Sequence, residues 1–222
     1  MRAAFWLLKA PDSLADQSHR NPDGAGIGTF ELDGTPEVDK SPIAAYKDGT
    51  FLREAKTEES RTFVAHVRFA SAGSVELKNT HPFEQHGRLM AHNGVVENLP
   101  RLEEQLGEYA SLVAGDTDSE RLFALITKET EANDGDVGSG ITTAMRWVAA
   151  NLPVYALNMV LTTETDLWAF RYPKRMGCSS WSGRRLARMA GTAWRWPAAR
   201  AACRCVSKIL RRRRLSWSLA RE

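Results

Sequence analysis

Three short stretches of the sequence carry side chains whose types and spacing suit the binding of a small charged ligand. The first is His66-Val67-Arg68, in which the histidine and the arginine fall on the same side of an alternating strand pattern. A guanidinium is costly to bury without an anionic partner, and its planar fork fits a carboxylate through two parallel hydrogen bonds. Arg68 is therefore a candidate for binding a substrate carboxylate. The alternatives are an internal salt bridge and a solvated face of a sheet.

The second stretch is His92-Asn93-Gly94. Asn-Gly is the commonest two-residue hairpin turn, so local rules favour a turn at this point. The chemical interpretation is different: the side-chain amide of Asn93 and the backbone N–H of Gly94 could both donate to an oxyanion. Glycine permits the close approach of backbone that such a site needs. Both interpretations remain open on these residues alone.

The third stretch, Gly115-Asp116-Thr117-Asp118-Ser119-Glu120, begins a predicted helix. Thr117 and Glu120 have the spacing of a capping box, in which each side chain bonds the backbone N–H of the other residue. Asp118 lies in the first helical turn, where the helix dipole favours a carboxylate. The same carboxylate is well placed to hold a ligand ammonium group. The structural and functional roles of this motif are compatible.

The elements that must position these residues are strands at both ends of the first 172 residues, with helices between them. A period of two residues predicts a strand at 62–70, and β-compatible residues bounded by turns predict strands at 28–32, 88–92, 154–162 and 166–170. A helical period predicts helices at 97–106, 118–130 and 141–151. The glycine-rich segment 21–28 is predicted to be a tight loop beside a site. Because strands and helices do not alternate regularly, the order favours an α+β sandwich over a doubly wound parallel sheet.

Charge divides the 222-residue chain into two parts. Residues 1–172 hold 26 Asp and Glu against 16 Lys and Arg, whereas residues 173–222 hold 14 Lys and Arg against one Glu. All three cysteines lie in the second part, so the first part has no disulfide framework. No apolar run approaches the roughly 18 residues of a membrane span, and no signal peptide is evident. We expect a cytoplasmic protein with no membrane partner.

Five motifs resemble the class II glutamine amidotransferase domains when they are taken in order. They are NPDGAGIG, AHVRFASAGS, NTHPF, AHNGVVENL and GDTDSERLFALI, which lie between residues 21 and 126, and the resemblance runs from about residue 5 to residue 172. The likeness is greatest to the small stand-alone bacterial group that includes the ergothioneine-pathway amidohydrolase. Members of this family are N-terminal-nucleophile hydrolases. The resemblance therefore implies an α+β fold, a four-layer αββα sandwich of two antiparallel sheets.

The resemblance also implies a role for each candidate residue. Arg68 matches the arginine that grips the α-carboxylate of glutamine, and Asp118 matches the carboxylate that binds its α-ammonium. Ser71 stands where the family usually has threonine, so its hydroxyl can remain a ligand of the substrate. Asn93 and Gly94 match the oxyanion pair. The implied reaction is hydrolysis of glutamine, or of a γ-glutamyl amide, to the acid plus ammonia or an amine. No cofactor or metal is expected, and a separate synthase subunit is a possible partner.

The chain departs from the family at the nucleophile. The family uses a cysteine that becomes residue one when the initiator methionine is removed, and the α-amine of that cysteine serves as the base. Here Arg2 follows Met1, and no Cys, Ser or Thr occurs before Ser13. We expect that the first strand of the fold, which carries the cysteine, is missing from residues 1–172. The chain as given is then expected to be inactive.

Residues 173–222 form a basic segment rich in Arg and Trp with no clear period. We expect this tail to be disordered or to be the product of a frameshift. A nucleic-acid-binding arm is the weaker alternative. Cys178, Cys203 and Cys205 do not make a recognisable zinc set. For the body of the chain, the alternative to an enzyme is a non-catalytic module that binds an amino acid through Arg68 and Asp118.

Overall fold

The computed structural model describes residues 4–60, 62–172, 192–197 and 204–206, the last two ranges as backbone strands only. The first of its two sheets has three antiparallel strands. They are β1 (Ala25–Phe30), β2 (Pro36–Ser41) and β3 (Val64–Val67), and their order in the sheet is β2-β1-β3. The central strand β1 is buried along its whole length because both of its edges are paired and both of its faces are covered.

The second sheet has six antiparallel strands among the described residues, and each strand pairs with the next along the chain. The strands are β4 (Phe83–Gln85), β5 (Arg88–Val96), β6 (Val154–Thr162), β7 (Asp166–Tyr172), β8 (Thr192–Pro197) and β9 (Arg204–Val206). A long helical excursion separates β5 from β6, which nevertheless pair over eight residues of β5. The predicted hairpin at 154–170 is confirmed as β6 and β7, with β7 two residues longer than expected.

Five α-helices occur in the described part of the chain. They are α1 (Leu14–Gln17), α2 (Gly49–Thr57), α3 (Leu99–Leu106), α4 (Asp118–Glu131) and α5 (Val137–Asn151). A π-helical turn (Phe5–Lys9) and two 3-10 segments (Leu77–Asn79 and Gly107–Leu112) complete the helical elements. The side chains that cap α1, α2, α4 and α5 accept hydrogen bonds from backbone N–H groups of the first turn. Within the described ranges, no helix has the length and apolarity to cross a bilayer.

Three buried clusters show how the layers stack. One cluster, which includes Ile27, Phe51 and Ala55, packs the three-stranded sheet against α2. A second, built from Phe30, Val64, Leu89 and Ala91, lies between the two sheets. The largest lies between the six-stranded sheet and the helices α3, α4 and α5. The order of layers is therefore helix, sheet, sheet, helix, and the predicted four-layer αββα sandwich is confirmed.

The largest cluster follows from the helical periods in the sequence. The side chains of Leu122, Leu125 and Ile126 are fully buried on α4, and Ile141 and Val148 are fully buried on α5. Each fully buried aliphatic side chain contributes about 1.5–3 kcal/mol relative to exposure, so this interface is a major source of stability. The predicted helices at 118–130 and 141–151 are confirmed as α4 and α5, and α5 begins four residues earlier than expected.

Several local predictions need correction. The hairpin turn that local rules favoured at Asn93-Gly94 is wrong, because β5 runs through both residues to Val96. Residues 25–28 of the segment predicted as a tight loop at 21–28 are the first four of the six residues of β1. The strand β2 and the helix α2 were not predicted, since both are short and hold few apolar residues. Most of the tail at 173–222 lies outside the described residues, apart from the backbone of β8 and β9.

Candidate functional site

Because side chains alternate between the two faces of β3, His66 points into the space between the sheets. Val64 and His66 are buried on this face, while Phe63, Ala65 and Val67 pack toward α2. The Nε2 atom of His66 lies 2.9 Å from the side-chain Oδ1 of Asn93 on β5. This contact joins the edge strand of the three-stranded sheet to the second strand of the six-stranded sheet. One of the predicted oxyanion donors is thereby held by the strand that leads to Arg68.

Asn93 and Gly94 lie within β5, opposite Asn158 and Leu157 of β6. The side-chain amide of Asn158 donates to the backbone carbonyl of Asn93 at 3.2 Å. A Cβ atom on Gly94 would lie 1.8 Å from the backbone oxygen of Ala156, so only glycine fits at this position. The pairing register shifts just after Gly94, between Val95 and Val96. Such irregularities bend a strand and redirect its groups, and they are common beside active sites.

The N-terminus of α4 is tied directly to β5. Thr117 caps the helix by accepting a hydrogen bond from the backbone N–H of Glu120. The next residue, Asp118, is buried with 6% of its surface exposed, and its Oδ2 accepts a hydrogen bond of 2.8 Å from the backbone N–H of Val96. Val96 is only three residues from Asn93. The carboxylate predicted to bind an ammonium therefore lies beside the strand that carries the predicted oxyanion donors.

A second tie joins the same two elements. The Nδ1 atom of His92, on β5, lies 3.0 Å from the hydroxyl oxygen of Ser119, on α4. His92 and Asn93 point to opposite faces of β5, so one contacts α4 while the other contacts His66. Both histidine contacts are buried or partly buried. Through them, β3, β5 and the start of α4 form one connected unit.

Arg68 follows directly after β3 and is 3% exposed. Its guanidinium donates to the backbone carbonyls of Ser74 (3.0 Å), Ala72 (2.8 Å) and Gly73 (3.3 Å). Burial lowers the pKa of Arg68 from its ordinary value, and the nearby carboxylate of Asp23 acts in the opposite direction. The Arg68 guanidinium therefore bonds carbonyl groups of the loop in place of the internal salt bridge considered from the sequence. The loop at 71–76 thus folds around the predicted carboxylate-binding group.

Three buried histidines lie beside the site. The rings of His66 and His81 have centroids 4.3 Å apart, whereas His92 lies on β5, in the other sheet, and contacts α4. Burial is the main cause that lowers the pKa of all three, to about 4 for His66. The rings are therefore neutral near pH 7 and act as hydrogen-bonding groups without charge. Within the described ranges, no group of three or more His, Cys, Asp or Glu side chains is arranged to hold a metal ion.

The structure brings the predicted residues together to different degrees. Asp118 bonds β5 at Val96, three residues from Asn93, whose side chain contacts His66 on β3, and Arg68 follows directly after β3. Ser71 is exposed on the loop that surrounds Arg68. The bonds made by His92 and Ser119 were not predicted. Only the alternation of β5 and the helical position of Ser119 hinted at them.

Comparison with known proteins agrees with the resemblance found in the sequence. The family described as glutamine amidotransferases class-II matches residues 11–179. A probable glutamine amidotransferase of Saccharomyces cerevisiae is 29% identical over 136 residues, which are 54% of this chain and 38% of the yeast protein. A glutamine–fructose-6-phosphate aminotransferase (isomerizing) of Xylella fastidiosa is 26% identical over 170 residues, which are 75% of this chain and 26% of that protein. The chain thus spans about a quarter to two fifths of these curated relatives.

Among solved structures, a glutamine aminotransferase class-II domain protein from Silicibacter pomeroyi is similar in fold. The TM-score is 0.59 at 20% sequence identity, and the likeness covers 83% of this chain and 92% of the other. At that level of identity the match concerns the fold alone. It agrees with the four layers described above.

Proposed function

Because this chain belongs to the class II glutamine amidotransferases, we propose that the junction of β3, β5 and α4 binds glutamine or a γ-glutamyl amide. In this proposal the α-carboxylate meets the guanidinium of Arg68 and the α-ammonium meets the carboxylate of Asp118. The side-chain amide of the ligand then extends toward Asn93 and Gly94. The observation that carries the proposal is the hydrogen bond from Val96 N–H to Asp118, which holds an acidic group beside the strand of Asn93 and Gly94.

The charges of the site fit a zwitterionic head group. Arg68 offers a buried cation, and charge-assisted hydrogen bonds of this kind are worth about 1.5–3 kcal/mol each. Asp118 uses Oδ2 for the backbone of β5, and its Oδ1 has only a long contact of 3.5 Å with Ser119. A carboxylate has about four acceptor positions, so Asp118 retains capacity for a ligand ammonium.

For catalysis, the proposed reaction is attack of a thiolate on the side-chain amide carbon of glutamine. The C–N bond breaks with release of ammonia, and water then hydrolyses the thioester to glutamate. The negative oxygen formed during attack would accept hydrogen bonds from the Asn93 amide and the Gly94 N–H. The sequence has no cysteine before Cys178. We therefore propose that the 222-residue chain binds the ligand without turnover, and that turnover requires an N-terminal cysteine upstream of it.

A synthase unit is the proposed acceptor of the ammonia. The aminotransferase of Xylella fastidiosa matches this chain over only 26% of its own length, so most of that protein lies outside the likeness. Whether the acceptor is a separate chain can be tested by copurification from the native host, with a synthase in the purified complex as the expected result.

The binding proposal is tested by calorimetry of the full chain with L-glutamine. The Asp118→Asn variant keeps an oxygen that can accept from Val96 N–H but loses the charge, so we expect affinity to fall at least tenfold. The exposed Asp134→Asn is the matched control, expected to stay within twofold of the parent chain. An absence of glutamine binding in the parent, or equal affinity in Asp118→Asn, would contradict the proposal.

The catalytic part is tested by ammonia release. We expect none from the 222-residue chain and clear glutaminase activity from a version extended upstream to an in-frame cysteine. Activity in the shorter chain would overturn the assignment of the nucleophile. Binding without turnover in both versions would favour the non-catalytic amino-acid-binding module, for which the absence of cysteine from residues 1–172 is the supporting observation.

A further inference from the structure

The side chain of Asn79 is fully buried between two loops that meet beside the site. It ends the 3-10 segment Leu77–Asn79, and its Nδ2 donates to the carbonyl and the hydroxyl oxygens of Ser74 at 3.1 and 3.2 Å. The same Nδ2 donates to Oδ2 of Asp116 at 3.2 Å, and its Oδ1 accepts from the backbone N–H of Asp116 at 2.8 Å. One amide therefore bonds both loops at once.

The two loops serve opposite ends of the proposed ligand. Ser74 belongs to the loop whose carbonyls surround Arg68, and its carbonyl oxygen accepts from both the Arg68 guanidinium and Asn79. Asp116 lies immediately before Thr117, the cap of α4, and two residues before Asp118. Asn79 is thus the shared hydrogen-bonding group between the half of the site that carries the cation and the half that carries the anion.

The packing around this amide leaves little freedom. A Cβ atom on Gly73 would lie 3.0 Å from Nδ2 of Asn79, and a Cβ atom on Gly115 would lie 2.5 Å from its Oδ1. A larger residue at position 73 or 115 would have to displace the amide or its own loop. Glycine at both positions therefore lets the two loops lie close to Asn79. A buried polar group in such a position is costly to leave unbonded, so its geometry is strongly favoured.

An exposed ion pair links the same two loops. The Nζ of Lys78 lies 2.9 Å from Oδ2 of Asp116, with side chains that are 41% and 53% exposed. Exposed pairs of this kind contribute little to stability and hold their geometry weakly. The buried amide and the exposed pair thus connect the same segments with very different rigidity, and Lys78 supplies a matched comparison for Asn79.

We propose that Asn79 is a positioning residue that sets the separation between the Arg68 guanidinium and the Asp118 carboxylate. It thereby makes the site selective for ligands that carry both an α-carboxylate and an α-ammonium group. This inference rests on the proposed function. Its physical basis is that two linked ligand groups gain affinity from each other only when the site allows both to engage simultaneously.

The test compares three ligands by NMR titration of the full chain, a method that reaches millimolar Kd values. L-Glutamine carries both head groups, 5-amino-5-oxopentanoate lacks the α-ammonium, and 4-aminobutanamide lacks the α-carboxylate. In the isosteric Asn79→Asp variant, we expect L-glutamine to bind at least tenfold more weakly and each single-headed ligand to change less than threefold. The ratio of affinities is the informative quantity, because a loss of folded protein lowers all three equally.

Lys78→Gln is the control, for which all three affinities are expected to stay within twofold. Asn79→Ser is a second variant in case Asn79→Asp does not fold, and the same change in ratio is expected. An unchanged ratio in a folded Asn79 variant would overturn the positioning role while leaving the proposed function intact. A parent chain that does not bind L-glutamine would overturn both.

Discussion

The ring of His66 and the side chain of Asn93 are 2.9 Å apart and connect the two sheets across the interior of the sandwich. Burial lowers the pKa of His66 to about 4, so the ring is neutral near pH 7. A neutral ring that donates from Nε2 to Oδ1 of Asn93 leaves the amide NH2 of Asn93 free to donate elsewhere. That orientation is the one an oxyanion donor requires.

This contact makes a measurable prediction about stability. We expect His66→Leu and Asn93→Ala to show a coupling of about 1 kcal/mol in a double-mutant cycle, because each single change removes the same hydrogen bond. Urea denaturation of the parent, the two single variants and the double variant gives the coupling. If the free-energy changes of the two single variants sum to that of the double variant within about 0.3 kcal/mol, the contact does not couple the two sheets.

Acid is expected to destabilise the fold through its buried histidines. The pKa values of His66, His81 and His92 are lowered, so the unfolded chain binds protons near pH 6.5 while the folded chain stays neutral. The stability is therefore complete above pH 6.5 and is lost as pH falls toward 4. We expect His66→Gln to reduce the dependence of unfolding free energy on pH in this window by roughly 1 kcal/mol per pH unit.

The exposed His19 is the control for that experiment. His19→Gln is a matched removal of an exposed imidazole, whose ring stacks on Tyr46 at the surface, and the effect of His66→Gln is measured relative to it. If His66→Gln and the parent chain lost stability in parallel between pH 6.5 and 4, the buried ring would not be the source of the effect.

Glu54 is expected to make the fold less stable as pH rises, which is the opposite of the effect of the buried histidines. Burial, followed by the charge and a hydrogen bond of Asp39, raises the pKa of Glu54 to about 7. The folded chain then holds a proton that the unfolded chain has released, so stability falls as pH rises from about 4.5 to about 7. We expect Glu54→Gln to raise the unfolding free energy by about 1–3 kcal/mol at pH 8 and by little at pH 4.5.

Thermal or urea unfolding at the two pH values measures this difference. The exposed Glu104→Gln is the matched change on another helix, and it is expected to alter stability by no more than about 0.5 kcal/mol at either pH. If Glu54→Gln raised the unfolding free energy equally at pH 4.5 and pH 8, ionisation of the buried Glu54 carboxyl would not be the cause.

Gly94 should not tolerate a side chain. A Cβ atom there would lie 1.8 Å from the backbone oxygen of Ala156, which cannot move without separating β5 from β6. We expect Gly94→Ala to cost about 3 kcal/mol or more, or to prevent folding. Gly49→Ala, where a Cβ atom meets nothing within 4 Å at the start of α2, should be neutral or slightly stabilising. Similar melting temperatures for the two variants would contradict the close approach of Gly94 to the backbone oxygen of Ala156.

Much of the fold was predictable because its signals are local. The cap formed by Thr117 predicted the first residue of α4, and the apolar periods of α4 and α5 predicted their buried faces. The reciprocal half of the capping box is wrong, because the carboxylate of Glu120 accepts from the backbone N–H groups of Ala114 and Gly115 and not from that of Thr117. These signals act over three to four residues, so they are visible in one segment. The family was also predictable, since its motifs stand in order along the chain. The roles of Arg68 and Asp118 toward a ligand stay predictions.

The amino-acid sequence by itself therefore determined the type of most elements, the faces they bury and the family to which the chain belongs. Only the tertiary structure decided that Asn93 and Gly94 continue a strand, because pairing with β6 outweighs the local preference for a turn. It also decided that Arg68 bonds the carbonyls of its own loop and that Asn79 reaches Asp116, 37 residues away. Such contacts depend on the simultaneous placement of segments distant in the chain, which no local period or motif encodes.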